Sequence, residues 1–426
     1  MRLIRRITTV VMIAALMLAL CSCAPLGDMM GEIFGTEAPT ESFEPVTVNE
    51  EVHDEYQPIV PRYSYATLST DAQRLLYDKM LDAVYHVSSD ADEGLYPTEK
   101  IELDVAMSEE DIRRVMKAFY DDNPDIWWVS TTYLRLIDEE RDYTMVRLYA
   151  DVSPDMIETR NRQLHDAVGA FLDTVPTGLT TYELEKFTHD YLLDTCAYDT
   201  EVDSVESYLN DHPDLGLPYG ALVDHTAVCE GYARAMQLLL NRLGVGCVCI
   251  IGQGQGELHM WNAVLLDDGW YLVDPTWDDQ QDDQLRYNYF NLTESQMNED
   301  HIPADAVDND DSYMSANLYL PDCDRTTFNY FSYECVHLND LYDNAIADAL
   351  YEAAAGYEDV LFIYVEPSAY TVDEAIRYLI TDYPQELFDD LDEVNRRLPD
   401  YSVDDSNIRY FSDDTLHILG IELSYL

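Results

Sequence analysis

Basic residues are scarce in this sequence of 426 residues. Lysine and arginine together number 24 against 84 aspartate and glutamate residues, so the formal net charge is −60 at pH 7. A field of that sign repels nucleic acids and anionic lipid headgroups, so we expect neither as a direct partner. Hydrophobic residues still make up 47% of the chain and aromatic residues 12%. That content suffices for packed cores and excludes a disordered acidic protein.

Cysteines are also few, and their spacing is not that of a zinc-binding or disulfide-rich protein. Cys247 and Cys249 lie on one face of one predicted strand, which is poor geometry for a bridge, and they lack a second pair at zinc-site spacing. We therefore expect this pair to pack in the core. The acidic runs 278–283 and 305–311 lack the glycine and the distal glutamate of an EF-hand loop, so solvated loops are favoured. No metal site and no other cofactor is therefore predicted.

The N-terminus lacks an apolar run of transmembrane length. Three arginines precede the short apolar run 10–20, which is typical of a signal peptide. The run ends in LALCSCAP, which resembles a bacterial lipoprotein signal, with Leu20 and Ser22 correctly placed before Cys23. We predict that residues 1–22 are removed, that Cys23 is lipidated, and that the chain is exported and held outside the cytoplasm. A plain secretory signal is the alternative.

The remaining chain is predicted to contain a tether and three folded regions. Residues 23–61 are rich in proline, threonine and glutamate without periodicity, which predicts a disordered tether. Residues 62–175 form an accessory α+β region, 176–324 the catalytic domain, and 325–426 a small α+β domain without a recognisable chemical motif. A disulfide between Cys323 and Cys335 is left open, as are the roles of the flanking regions.

A helical pattern begins at Cys229. Apolar residues recur at three- and four-residue spacing from Ala233 to Leu243, and Gly244 follows as a left-handed stop. Cys229 then falls in the first turn, where unpaired amides and the positive dipole end favour a thiolate, the reactive form of cysteine. Gly231 in that turn would let a substrate or a neighbouring strand approach closely.

The periodicity after this helix changes to short strands at 247–252, 259–266 and 270–277. His259 opens the second strand, and Asp274 lies near the end of the third, after a hairpin signal at Asp268-Gly269. The two side chains share a face for any even shift of register, although the sequence does not fix their distance. Cysteine, histidine and aspartate in this order suit a nucleophile, its base and the residue that orients the base. The alternative is a buried structural cysteine with a structural histidine.

The blocks VCEGYA, HMWN and DPTWDD resemble those of the bacterial transglutaminase-like superfamily, over about 60 residues and more weakly over 180–228. The resemblance implies an α+β, papain-like core with the nucleophile helix packed on an antiparallel sheet. It also implies that Cys229 is the nucleophile, His259 the general base and acid, and Asp274 the orienting residue. The expected activity is acyl transfer from amide bonds of extracellular protein or peptidoglycan peptide through an acyl-enzyme.

One feature of cross-linking transglutaminases is missing, namely a tryptophan upstream of the cysteine that helps hold the oxyanion. The chain has no tryptophan between Trp128 and Trp261. Tyr219 or Tyr198 could donate a hydroxyl instead, beside the Cys229 amide, unless both only pack. The gap favours a peptidase or amidase slightly over cross-linking. A non-catalytic surface-binding or assembly module with the same fold is the alternative function, and the oligomeric state is not predicted.

Overall fold

The computed structural model describes residues 45–48, 60–201, 212–279, 286–304, 316–340, 345–382 and 385–426. The chain divides into two compact units, Met1–Asp267 with Asp300–Asp322, and Asp268–Glu299 with Cys323–Leu426. Both mix helices with largely antiparallel sheets, so the predicted α+β class is confirmed. The predicted signal peptide, Cys23 and most of the predicted tether lie outside the described residues. None of the described helices has the length and apolar character needed to cross a membrane.

The first part of unit 1 is an antiparallel sheet covered by helices. Its strands pair in the order β1-β2-β3-β5-β4. One buried apolar cluster joins this sheet to the helices and includes the nearly inaccessible Trp128. The elements are β1 (Pro45–Thr47), α1 (Tyr63–Ala66), α2 (Asp71–Ala83), β2 (His86–Ser88), β3 (Tyr96–Leu103), α3 (Glu109–Asp122), β4 (Val129–Asp138) and β5 (Tyr143–Ala150).

The starts of α2 and α3 are capped by hydroxyl side chains. The Thr70 hydroxyl accepts a hydrogen bond from the Gln73 amide at 3.2 Å, and the Gln73 side chain accepts one from the Thr70 amide at 3.1 Å. Ser108 accepts from the Asp111 amide at 3.0 Å. Each contact satisfies a first-turn amide that has no partner within the helix.

Strand β1 falls inside the predicted tether. It pairs with β2 in antiparallel register, and Val48 directly after it is fully buried in the unit 1 core. The alternating β-branched residues Val46 and Val48 give this segment a strand pattern that the surrounding composition conceals. Ordered chain therefore occurs further toward the N-terminus than composition indicates.

The second part of unit 1 places a long helix on a small antiparallel sheet. Strand β8 lies between β9 and β11 and is antiparallel to both, while two short strands, β6 and β7, pair in parallel. Helix α6 packs on β8, β9 and α5. The elements are α4 (Pro154–Thr174), α5 (Thr181–Thr195), β6 (Ala197–Tyr198), β7 (Thr226–Ala227), α6 (Cys229–Leu243), β8 (Gly246–Gly254), β9 (Glu257–Leu266) and β11 (His301–Pro303).

Unit 2 contains a four-stranded sheet of strand order β12-β13-β15-β14, in which β12 and β13 are parallel and the other pairs antiparallel. Helices α10 and α12 supply much of its apolar core. Its elements are β10 (Gly269–Val273), α7 (Pro275–Asp279), α8 (Glu294–Met297), α9 (Tyr330–Glu334), β12 (Val336–Leu338), α10 (Ala345–Gly356), β13 (Val360–Val365), α11 (Val372–Ile376), α12 (Glu386–Arg397), β14 (Arg409–Asp413) and β15 (Ile418–Glu422).

The strand predicted over 270–277 is wrong at its end. Strand β10 stops at Val273, and helix α7 begins at Pro275. Proline has no amide hydrogen and a fixed φ angle, so it suits the first position of a helix better than a strand interior.

Unit 1 contains the predicted accessory region together with Cys229 and His259, whereas unit 2 contains Asp274 and the predicted C-terminal domain. The domain boundaries expected near 175 and 324 stay predictions.

Candidate active site

Cys229 is the first residue of α6 and is partly exposed. Val228 before it has extended backbone angles, φ −99° and ψ 179°, and provides no side-chain cap. The backbone amides of the first turn and the positive end of the helix dipole therefore lie beside the thiol. Gly244 ends the helix at φ +82°, as predicted.

The close approach predicted at Gly231 is confirmed, but the neighbour is a turn. The Leu215 carbonyl oxygen would lie 2.3 Å from a Cβ atom on Gly231, and the Ala227 Cβ 2.8 Å from it. The same carbonyl accepts a hydrogen bond from the Val228 amide at 3.0 Å. One carbonyl group thus holds the chain leading into Cys229 against the first turn of α6.

Topology brings Cys229 and His259 to the same end of the helix–sheet pair. After the turn at Gly244, β8 folds back along α6, with Asn241 beside Cys247 and Gln237 beside Cys249. Because β9 is antiparallel to β8, α6 and β9 point the same way. The Asn262 side-chain amide donates to the Ala233 carbonyl at 2.9 Å, which aligns the two elements. Cys229 precedes Ala233 by about 6 Å of helix, and His259 precedes Asn262 by about 10 Å of strand.

The His259 side chain lies among other rings and is only 7% exposed. The Trp261 ring stacks at a centroid distance of 6.0 Å, and the His301 ring lies 5.3 Å away. His301 is fully buried, and its Nδ1 is 2.6 Å from Asp300 Oδ1. His301 was not predicted from the sequence. The one signal for it there is that an aspartate, Asp300, directly precedes it in NEDHIP.

Asp274 lies in unit 2 and is fully buried. Its Oδ1 accepts hydrogen bonds from the amides of Thr276 at 2.9 Å and Trp277 at 3.2 Å, so the carboxylate is fixed at the start of α7. Its own amide donates to the Tyr289 carbonyl at 3.0 Å. A rigidly held carboxylate suits the orienting role, and that role stays a prediction.

The two oxyanion candidates differ in their surroundings. The Tyr219 hydroxyl donates to Gln163 Oε1 on α4 at 2.9 Å, and the Arg160 guanidinium lies 5.1 Å from its ring centroid. Tyr198 pairs with Ala227, two residues before Cys229, in the β6–β7 ladder. The backbone therefore places Tyr198 beside the approach to the thiol, whereas the Tyr219 hydroxyl already serves a link between α4 and its own turn.

The other cysteines considered from the sequence are structural. Cys247 is fully buried, and burial raises the pKa of Cys249 to about 12, so both thiols stay protonated at neutral pH. The expected core packing of this pair is confirmed. Cys335 carries a free thiol, so the bridge considered with Cys323 is not formed.

Parts of the acidic runs can be placed as well. Asp278 is buried, and its Oδ1 accepts a hydrogen bond from the Tyr289 amide at 2.9 Å, so its expected place in a solvated loop is wrong. A buried backbone amide needs a hydrogen-bond acceptor, and the Asp278 carboxylate supplies it. Residues 280–283 and 305–311 lie outside the described residues.

The accessory region contacts the nucleophile helix through polar groups. Arg234 pairs with Glu230 at 2.8 Å within α6, and its Nη1 is 3.4 Å from the Tyr120 carbonyl of α3. The Gln237 side chain donates to the Asp121 carbonyl at 2.8 Å. The carboxyl end of α3 therefore supports α6, which gives this region a structural role beside the site.

Residues 172–275 match the family model of the transglutaminase-like superfamily. This part of the chain is a transglutaminase-like domain. The matched range contains Cys229, His259 and Asp274, and the packing of α6 on the antiparallel strands β8 and β9 fits the papain-like core of this fold.

Two relatives and one solved structure are similar to parts of this chain. Human Kyphoscoliosis peptidase is 33% identical over 95 residues, which are 18% of this chain and 14% of that protein. The mouse protein of the same name is 38% identical over 61 residues, 12% of this chain and 9% of that one. A crystal structure of a TGase aligns at 12% identity over 42% of this chain and 50% of that chain, with a TM-score of 0.24. This chain therefore spans only a small part of the length of those curated relatives.

Proposed function

We propose that this protein is a thiol acyl-transfer enzyme that acts on amide bonds of proteins or peptides, with Cys229, His259 and Asp274 as its triad. The observation that carries the proposal is the placement of Cys229 at the start of α6, at the same end as the shielded His259. A nucleophile at a helix N-terminus with a histidine base close by is the arrangement that thiol acyl transfer requires.

The proposed reaction begins with the Cys229 thiolate, whose Sγ attacks the amide carbonyl carbon. The imidazolium of His259 then gives its proton to the amide nitrogen, the C–N bond breaks, and the amine leaves behind a thioester. Water, or a second amine, loses a proton to His259 and attacks the thioester. The C–S bond then breaks, which restores the Cys229 thiolate and the His259 imidazolium and releases a carboxylic acid or a new amide. Asp274 would hold the imidazole in the required tautomer.

The oxyanion of the tetrahedral intermediate needs two donors. The Cys229 amide at the helix start is one, and we assign the other to Tyr198 rather than Tyr219. The Tyr198 backbone is paired with Ala227, two residues before Cys229, and this position beside the approach to the thiol is the basis of the assignment. A hydroxyl aimed at the developing charge is worth about 10²-fold or more in turnover.

The proposed setting is outside the cytoplasm, with the chain anchored through lipid on Cys23. The signal-like N-terminus supports this, and the strongly acidic composition agrees with a soluble body that touches the membrane only through that lipid. Extracellular protein or peptidoglycan peptide would be the substrate, with hydrolysis favoured over cross-linking because an upstream tryptophan is absent. Loss of detergent-phase partitioning in a cell-expressed Cys23→Ala variant tests the anchor.

The deciding experiment measures the alkylation rate of Cys229 against pH by mass spectrometry, in the wild-type chain and in His259→Ala. We expect rapid labelling near pH 6 that is lost with the histidine. Active protein should then be incubated with peptide amides, with and without a fluorescent primary amine, to separate hydrolysis from amine incorporation. Labelling that rises only toward the ordinary thiol range, about pH 8.5, and ignores His259 would contradict an activated pair.

The second candidate is a non-catalytic surface-binding or assembly module. Residues 325–426 contain no recognisable chemical motif, and for that region of the sequence this favours a binding role over a catalytic one. Under this alternative, Cys229→Ser would retain every binding property of the wild-type protein, and no thioester would accumulate on Cys229 with any amide substrate.

A further inference from the structure

A second histidine borders the proposed base. The His301 ring is fully buried, and its plane is tilted 57° from the His259 ring at a centroid distance of 5.3 Å. Asp300 directly before it places Oδ1 2.6 Å from the His301 Nδ1. A buried imidazole that contacts a carboxylate at this distance is held in one orientation.

The strand register explains why the two rings meet. His259 on β9 pairs with Gly252 of β8, and His301 on β11 pairs with Gly254. Residues two apart on a strand share a face with their cross-strand partners, so both imidazoles lie over positions that have no side chain. The rings can therefore approach each other across the strand between them.

A third ring, that of Trp261, packs beside the two imidazoles over β8. Trp261 shares the face, with ring centroids 6.0 Å from His259 and 5.0 Å from His301. A Cβ atom on Gly252 would lie 2.6 Å from the Trp261 ring and 2.2 Å from the Ile302 carbonyl oxygen. Glycine at this position is thus required by the packing of the rings and of strand β11.

We propose that Asp300 and His301 form a positioning pair for His259. Asp300 accepts the Nδ1 proton of His301 and fixes its tautomer, and the immobilised ring, together with Trp261, restricts His259 to one orientation. The proposal rests on the proposed function in giving His259 the role of base. His301 acts through His259 and is not assigned contact with substrate.

Three variants of the full chain test the pair. Asp300→Asn keeps the shape of the side chain but removes the charge that orders the His301 proton, and His301→Gln removes the ring. Asp166→Asn is the matched control, because Asp166 faces its neighbour His165 at 3.7 Å at a solvent-exposed position of α4. Thermal unfolding of each variant establishes that it is folded, and the isosteric Asp300→Asn carries the test if His301→Gln is not.

Two readouts are compared. Ring-¹⁵N spectra of histidine-labelled protein report tautomer and environment, with His259 and His301 signals assigned from their glutamine variants. We expect Asp300→Asn to move both sets of signals and to lower the His259-dependent alkylation rate of Cys229 roughly tenfold. That is below the about 10²-fold loss that a 1 Å misplacement of reacting groups causes. The control should change only the His165 signals.

Unchanged His259 signals in folded Asp300→Asn and His301→Gln would overturn the positioning pair. An alkylation rate equal to that of the Asp166→Asn control would overturn it too, provided that wild-type labelling depends on His259. If wild-type labelling ignores His259, the proposed function has failed instead. The ring spectra then still decide whether Asp300 and His301 fix the orientation of His259.

Discussion

The substitution Gly231→Ala should destabilise the protein although it lies inside a helix. In an exposed helix interior, alanine is favoured over glycine by about 1 kcal/mol, because glycine loses more backbone entropy on folding. Position 231 is different, because the new Cβ atom would lie 2.3 Å from the Leu215 carbonyl oxygen and 2.8 Å from the Ala227 Cβ. Both atoms belong to backbone or to a short side chain, so neither can turn away.

The expected loss follows from three terms. Overpacking at a well-packed site typically costs about 1–3 kcal/mol. Displacement of the Leu215 carbonyl also weakens its 3.0 Å hydrogen bond with the Val228 amide, which is worth about 1 kcal/mol. The helix-propensity gain of about 1 kcal/mol opposes both. The net destabilisation should be about 1–3 kcal/mol, with Cys229 displaced at the helix start.

Gly169→Ala provides the matched control. Gly169 lies within α4, and nothing comes within 4 Å of a Cβ atom placed there, so this variant should be stabilised by about 0.5–1 kcal/mol. Urea unfolding of both variants and the wild type measures the two changes, and Cys229 alkylation reports on the helix start. A stabilised Gly231→Ala protein would show that the Leu215 turn yields freely, and the argument that it fixes Cys229 would be refuted.

Two further predictions concern the oxyanion donor and the pH dependence of stability. Tyr198→Phe should lower the turnover of a peptide amide about 10²-fold. Tyr219→Phe should leave turnover within a few-fold of the wild type and lower the free energy of unfolding by about 1 kcal/mol. The reverse ranking in steady-state kinetics would assign the oxyanion to Tyr219. Burial and three neighbouring carboxylates raise the pKa of Asp390 on α12 to about 6. The folded protein therefore favours the neutral carboxyl, so the free energy of unfolding is greatest below the unfolded pKa and falls as pH rises through 6. Asp390→Asn should therefore raise the free energy of unfolding more at pH 8 than at pH 5, by at most about 1 kcal/mol because the carboxyl is partly exposed. Urea unfolding at both pH values measures this, and an equal gain at the two would contradict the titration.

Local patterns predicted the nucleophile helix closely. The start of α6 at Cys229 and its end at Gly244 follow from apolar spacing and from a residue that accepts a positive φ angle. The capped starts of α2 and α3 follow in the same way from single hydroxyl side chains. These features depend on contacts between residues three or four apart in the chain, so they can be predicted from short stretches of sequence.

Local patterns were less informative where two structures compete over a few residues. The segment after Val273 has the aromatic and β-branched composition of a strand, yet Pro275 starts a helix, with Asp274 accepting the next free amides. Composition likewise concealed β1, because a three-residue strand becomes stable only when a partner such as β2 is present.

From the sequence alone we predicted the helix that begins at Cys229, the resemblance of three sequence blocks to transglutaminase-like proteins, and His259 and Asp274 as the expected partners of Cys229. Only the tertiary structure placed His301 and Asp300 beside His259, and only it showed that Leu215 fills the space at Gly231. Both of these arrangements join segments far apart in the chain. The pairing of a three-residue strand such as β11 with β8 depends on register and packing, for which so short a segment has no periodic signal of its own.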